Sequence, residues 1–481
     1  MQLALAVSLV VFFALMIGIS IWAGKRVHTG EDFIIAGRSL PGIMATATIM
    51  ATWFAAETIL VTADTVRTDG IRITVLEPLG IGICLVLAGL FFARRLWQTG
   101  CLTLADVVGS RFGKTAEKLQ AFVVISYVGW VAVQLLGLAG VFNVYFGLPI
   151  FWGVMLVTFV LTLYTMVGGL WSVAMTDVVQ LGMLLVGIVI LTIAVLDELG
   201  GGPLSGLAAL IDQLDAELLV FVPSGSYEEL SGWVGLIVIG MFANIATQDL
   251  AQRMLAARSA AIAERAAVAA GILYIVFGSM PVVLGLAGDL LLDDSIVQGV
   301  IPALAAQLLS PTIAVVFALT LTAAVTSSVD SGLLAPAAVI ARNVIGPLIG
   351  ERMHLITLTR ICVVAVAAIA ATMALSGTRA FELIQGSYSL TLPPLVVLWA
   401  ALYQEKTHPL PGALTLAFGI GFWFYEVAGN IASGGNEAEV LSPGFPIIQL
   451  ASSIAIYWGA DLLARRFGKD RRTANPWSAP E

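Results

Sequence analysis

The sequence predicts an all-α integral membrane protein with about thirteen transmembrane helices, and three observations predict it. Apolar residues make up 59% of the 481 and charged residues only 11%, against roughly 25% charge in an ordinary soluble domain. Blocks of about 20 apolar residues, each able to cross a ~30 Å hydrocarbon layer as a helix, recur from end to end. The 23 basic residues gather on one set of alternate loops, as they do on the cytoplasmic side of membrane proteins.

In chain order the blocks run 3–23, 42–64, 71–93, 119–147, 151–168, 178–197, 232–250, 267–288, 312–340, 356–375, 381–402, 410–429 and 446–464. The first lacks a basic leading region and a small-residue cleavage site and ends in "AGKR", so it reads as a retained helix, not a signal peptide. With the N-terminus outside, 20 of the 23 basic residues fall in inside loops and adjoining span ends, leaving Arg67, Arg72 and Arg379 outside. This predicts a multi-pass protein of the plasma or inner membrane with a cytoplasmic C-terminus.

The segments 199–231, 289–311 and the tail after Ala464 are too short, and too interrupted by Gly and Pro, to bury a core of their own. The activity is therefore expected inside the bilayer, with membrane lipid as the surrounding partner. No nucleic-acid partner and no obligatory protein partner is inferred. Cys84, Cys101 and Cys362 are scattered and His28, His354 and His408 fall in loops, so neither a disulfide framework nor a Cys/His metal site is indicated.

An ionisable residue inside a span costs about 2.5–3.5 kcal/mol on insertion scales and is a functional candidate by default. Away from span ends where Arg72 and Arg360 can snorkel, the candidates are Glu57, Asp64, Glu77, Asp177, Asp249, Asp330, Glu382 and Glu426, all acidic. Asp64, Glu382 and Glu426 lie near span ends, and Asp249 can pair with Arg253 one turn on. Asp177 follows "GGLWSVAMT" at the opening of a predicted helix, where an N-cap carboxylate would be ordinary. Glu57 and Glu77 have no basic residue within a turn, so each needs a partner from another helix, a bound cation or a proton.

The ninth block contains "TSSVDS" at 326–331. At ~100° per residue, Ala324, Ser327, Ser328 and Ser331 share one face, with Asp330 on its flank. Small hydroxylated residues suit close helix packing. They equally suit a hard alkali cation, which takes hydroxyl, carboxylate and backbone carbonyl oxygens, the last becoming available where a helix is broken at membrane depth.

Four segments, "AGRSLP" at 36–41, "YTMVGGLWSVAMTDVVQ" at 164–180, "QRMLAARS" at 252–259 and "AAVTSSVDSGLLAPAAVIARNVI" at 323–345, resemble in order and spacing the signature segments of the sodium:solute symporter family. "ATWFAAE", "LAGLFFARRLW" and "SSVDS" with "ARNVI" are similar to its high-affinity choline transporter branch. The resemblance implies a LeuT-like core of two inverted five-helix repeats with discontinuous helices. These would be residues 31–198 and 232–404, joined by an extracellular loop at 199–231. An extra helix at 1–30 precedes them, and two helices with a short cytoplasmic tail at 405–481 follow. Substrate in such folds lies near the midplane between the repeats.

The resemblance further implies Na⁺ as coupling ion, held by the carbonyls of Ala51, Phe54 and Ala324 and the hydroxyls of Ser327 and Ser328. It implies a second Na⁺ or proton site at Asp177, Asp330 and Ser331, with Ser327 shared. The substrate positions correspond to Trp53, Glu57, Thr58, Glu77, Trp130, Asn244, Thr247 and Gln385. Trp53 and Trp130 match two aromatics of a quaternary-ammonium cage, but Thr247 stands where the third would be, so an amino acid or betaine-like solute stays open beside choline. The implied function is Na⁺-driven uptake of a small organic solute. A receptor of the same fold is the other class kept in view. An enzyme is not expected, because no His or Lys lies within a span to activate Ser327 or Ser328.

Overall fold

A computed structural model describes residues 2–296, 298–376, 388–432, 442, 444–467 and 473–477. The predicted positions Arg379, Glu382 and Gln385 lie outside the described residues. Those described are almost entirely helical. In chain order the helices are α1 (Gln2–Gly24), α2 (Gly30–Ile35), α3 (Gly42–Trp53), α4 (Thr62–Asp69), α5 (Leu79–Leu87), α6 (Arg94–Gln98) and α7 (Leu104–Phe112). Next come α8 (Lys114–Ser126), α9 (Val128–Phe146), α10 (Ile150–Gly200), α11 (Pro203–Gln213), α12 (Tyr227–Phe242), α13 (Gln248–Ala256) and α14 (Ala260–Leu291). The last are α15 (Val300–Leu308), α16 (Pro311–Val339), α17 (Gly346–Ile349), α18 (Leu355–Ala374), α19 (Leu392–Tyr403), α20 (Pro409–Ala432) and α21 (Phe445–Phe467).

Among the described residues, ten helical stretches are long and apolar enough to cross a membrane, where the sequence gives thirteen blocks. The difference is specific. The second and third blocks share the stretch Glu57–Gln98, the fifth and sixth share Ile150–Gly200, and α19, in the eleventh, is 12 residues long. At about 1.5 Å per residue, the 51 residues of α10 exceed twice a ~30 Å hydrocarbon layer. Gly169, at φ 53° and ψ −144°, breaks the helical geometry between the two blocks. A Cβ at Gly169 would sit 2.3 Å from the Phe33 carbonyl oxygen, in a backbone region essentially reserved for glycine. Gly169→Ala is therefore expected to destabilise the fold by about 2–6 kcal/mol, read as a lowered thermal midpoint in detergent. An unchanged midpoint would show that the chain adjusts freely here.

Because the helix runs on past Gly169, Asp177 lies eight residues inside it and is fully buried. That corrects the expected N-cap position. Asp64 does serve a helix end, but across space: its carboxylate accepts the amide N–H groups of Gly299 and Val300 at 3.0 and 2.9 Å, where α15 begins.

Two helices break in the middle. After α3, Phe54 leaves helical geometry at φ −80° and ψ 73°, and the chain resumes as a π-helical turn at Glu57–Val61 before α4. After α12, a 3₁₀ turn at Ala243–Ala246 and the extended Thr247 precede α13. Further π-helical turns occur at Ala88–Ala93 and Ile340–Ile345. Two distant signature segments touch: the Leu40 amide donates to Ala256 O and the Arg258 amide to Leu40 O, both at 3.0 Å. At the same end of the bundle Arg342 donates to Asp106 at 2.6 Å, and Asn343 bridges Asp106 and Glu117. There β1 (Lys406–Thr407) pairs antiparallel with β2 (Thr473–Ala474), and the buried Arg111 donates to the carbonyls of Ala401, Gln404 and Thr473.

Candidate functional site

A helix break exposes carbonyls that have lost their amide donors. The break after α3 lies against the hydroxyl stripe of α16. Ser327 Oγ donates to Ala51 O at 2.9 Å and to Ala324 O at 2.8 Å. Ser328 Oγ donates to Thr52 O at 2.7 Å and reaches the Ala51 and Ala324 carbonyls at 3.4 Å. Four of the five residues expected for the shared Na⁺ site thus converge as uncharged oxygens, all buried. Phe54 sits at the break itself. Three carbonyls and two hydroxyls on these residues are the donor chemistry a hard alkali ion takes.

The flank of the stripe faces elsewhere. Tyr164 on α10 donates to Asp330 Oδ2 at 2.9 Å, and Ser331 to Asp330 Oδ1 at 3.2 Å. Ser331 also meets Thr52 Oγ1 at 3.1 Å. Asp177 accepts from Thr48 of α3 at 2.5 Å, while its Oδ1 has no partner. Between these groups stands a residue that sequence reasoning assigned elsewhere. Arg253 was expected to pair with the Asp249 carboxylate, but its Nη1 donates to the Asp249 backbone carbonyl at 2.9 Å. The rest of its guanidinium turns away, Nε to Thr48 O at 3.0 Å and Nη2 to Ser331 Oγ, with Asp177 Oδ2 4.0 Å off. It is fully buried. An i,i+4 spacing brings two side chains within reach but leaves them free to take better partners from another helix.

On the other side of the α3 break lie the expected substrate positions. Trp130 Nε1 donates to both oxygens of Glu57 at 2.9 and 2.8 Å, and Tyr388 OH donates to Glu57 Oε1 at 2.7 Å. Tyr274 OH donates to Glu77 Oε2 at 2.7 Å and is bonded to Thr58. Trp53 Nε1 donates to Asp249 Oδ2 at 2.8 Å. Trp53, Glu57, Thr58, Glu77 and Trp130 are thus gathered around the break. Asn244 and Thr247 are buried at the second break, where Thr247 Oγ1 donates to Asn244 O at 2.9 Å. Sequence reasoning missed Thr48, Thr52, Tyr164, Tyr274 and Tyr388, and it gave Asp249 only a local role. Thr48 and Thr52, one turn apart on the second span, carried a readable signal in their spacing. The tyrosines did not, since a lone Tyr in an apolar span reads as packing.

The chain is similar to known proteins in sequence and in fold. Over 400 residues the chain is 28% identical to the high-affinity choline transporter 1 of Drosophila melanogaster, a match covering 78% of this chain and 62% of that protein. It is 26% identical over 300 residues to the sodium/glucose cotransporter of Vibrio parahaemolyticus, covering 59% and 55%. In three dimensions it superposes on a Na⁺-coupled sialic acid symporter with a TM-score of 0.79 at 17% identity, covering 97% of this chain and 98% of the other, so the LeuT-like fold is shared. The family model for sodium:solute symporters matches residues 33–416. With four-fifths of its length inside that match, the chain belongs to the sodium:solute symporter family.

Proposed function

We propose that the protein is a secondary active transporter that couples inward Na⁺ movement to uptake of a small organic solute by alternating access. The observation that carries this reading is the junction of the broken α3 with α16 through Ser327 and Ser328. An ion bound there touches two elements at once, so its binding favours the arrangement in which they meet. The ligands would be Ala51, Phe54, Ala324, Ser327 and Ser328. An inward Na⁺ gains about 2.3 kcal/mol per 100 mV.

The breaks after α3 and α12 occupy the first helix of each proposed repeat, 31–198 and 232–404, which fits two inverted halves with the solute between them. The basic-residue distribution supports an external N-terminus and a cytoplasmic C-terminus. Asp177, Asp330 and Ser331 form the proposed second site for Na⁺ or a proton, with Arg253 as a fixed cation beside it. Asp177→Asn or Asp330→Asn is expected to lower the sodium Hill coefficient of uptake. If coefficient and affinity both stay unchanged, the second site is wrong.

The direct test uses proteoliposomes with and without an inward Na⁺ gradient and a panel of labelled solutes that includes choline, glycine betaine and alanine. Accumulation above equilibrium only with the gradient supports transport. Sodium binding without accumulation of any solute points to a receptor.

A further inference from the structure

Resting on that transport reading, we infer that the solute is an organic cation bearing N–H groups and no carboxylate, and that Asp249 is its specificity-determining residue. The argument starts from charge. Glu57, Glu77, Asp177, Asp249 and Asp330 are all at most 7% exposed, and Arg253 is the buried basic side chain among them. Among the described residues, the other two buried arginines are held elsewhere, Arg67 by the carbonyls of Leu292, Asp293 and Ile296 and Arg111 by the carbonyls at the β1–β2 end. Burying an unpaired carboxylate is costly enough that each normally has a cation or a proton. One guanidinium and one or two sodium ions beside Asp177 and Asp330 leave the Glu57, Glu77 and Asp249 group without a counter-ion. Glu57 lies within range of the charges of both Glu77 and Asp249.

Hydrogen-bond capacity narrows the class. Asp249 is fully buried; its Oδ2 takes Trp53, its Oδ1 makes no hydrogen bond, and the Tyr127 hydroxyl is a protein donor close to the carboxylate. A buried carboxylate oxygen with an empty lone pair asks for a donor. A quaternary ammonium has no N–H to give. Glu57, by contrast, already accepts from Trp130 and Tyr388 and contributes charge more than an open bond.

Two of the donors that a solute carboxylate would use are already taken. The amide of Ala56, which opens the resumed helix, is taken by Gln134 Oε1 at 3.1 Å. Arg253 is committed to Thr48, Ser331 and the Asp249 carbonyl. Any substrate carboxylate would instead face three buried carboxylates, which disfavours amino acids and betaines. Asn244 Nδ2, 2% exposed and without an acceptor, leaves room for a neutral oxygen or a second functional group.

The test uses the full chain in proteoliposomes under an inward Na⁺ gradient, with labelled 1,4-diaminobutane, agmatine and guanidinium set against choline, glycine betaine and alanine. At least one of the first three is expected to accumulate and to be uncompeted by betaine or alanine. Asp249→Asn is expected to raise its KM about tenfold to a hundredfold, while Na⁺ still raises the thermal midpoint of the variant in detergent, which shows that it folds. Gradient-driven accumulation of betaine, alanine or choline with none of the three cations moving overturns this inference and leaves sodium-coupled transport standing. Uptake that follows a proton gradient alone also overturns it, since protons would then balance the carboxylates. Absence of accumulation together with absence of sodium stabilisation removes both readings.

Discussion

Replacing Ser328 by alanine is expected to weaken sodium activation of uptake about tenfold or more, the equivalent of at least ~1.4 kcal/mol. Ser328 Oγ reaches three carbonyls from two helices, those of Ala51, Thr52 and Ala324. Its loss removes both an ion ligand and a tie between α3 and α16. Ser327→Ala should act in the same direction through the Ala51 carbonyl, and the double variant should abolish sodium dependence. Thr322→Val is the control, because that hydroxyl bonds back to Ala318 within α16. The measurement is the sodium concentration giving half-maximal uptake, with sodium-induced thermal stabilisation as a second readout that needs no substrate. If S328A keeps wild-type sodium dependence in both, the ion is held elsewhere.

Arg253→Met is expected to cost about 3–5 kcal/mol of stability, because truncating one partner of a buried charge cluster leaves the others uncompensated. Asp177 would keep Thr48 but lose the guanidinium, and Ser331 would lose a donor. Adding Asp177→Asn should recover part of the loss. Groups in one network are non-additive by about 0.5–3 kcal/mol, so the four-way comparison of thermal midpoints reads the coupling directly. Strict additivity of the two changes would mean that the 4.0 Å approach carries no energy.

The contrast between these residues shows what a sequence exposes. The hydroxyl periodicity of 324–331 depends on neighbours a few positions apart and is recovered in α16, whereas the thirteen apolar blocks correspond to ten membrane-length stretches among the described residues. The placement of Ser327 and Ser328 against the broken second span was legible from that periodicity, once the signature segments supplied the context. Arg253 and Asp249 were misassigned because four-residue spacing suggests a local pair, whereas their real partners lie far along the chain: Trp53 is 196 positions from Asp249 and Thr48 is 205 from Arg253. The bond from Tyr388 to Glu57 spans 331 positions. No periodicity encodes such contacts. They follow from how broken helices pack. The run of α10 past Gly169 was hidden in the same way, since a glycine pair between two apolar blocks reads as a connection until the backbone shows that helix resumes at once.

The π-helical turns bear on how such chains vary in length. One extra residue in an α-helix rotates everything beyond it by about 100°, which would swing every later side chain off its partner. A π-helical turn absorbs that residue locally. The turns at Glu57–Val61, Ala88–Ala93 and Ile340–Ile345 are therefore positions where a one-residue change in length fits inside a span without rotating the faces beyond it.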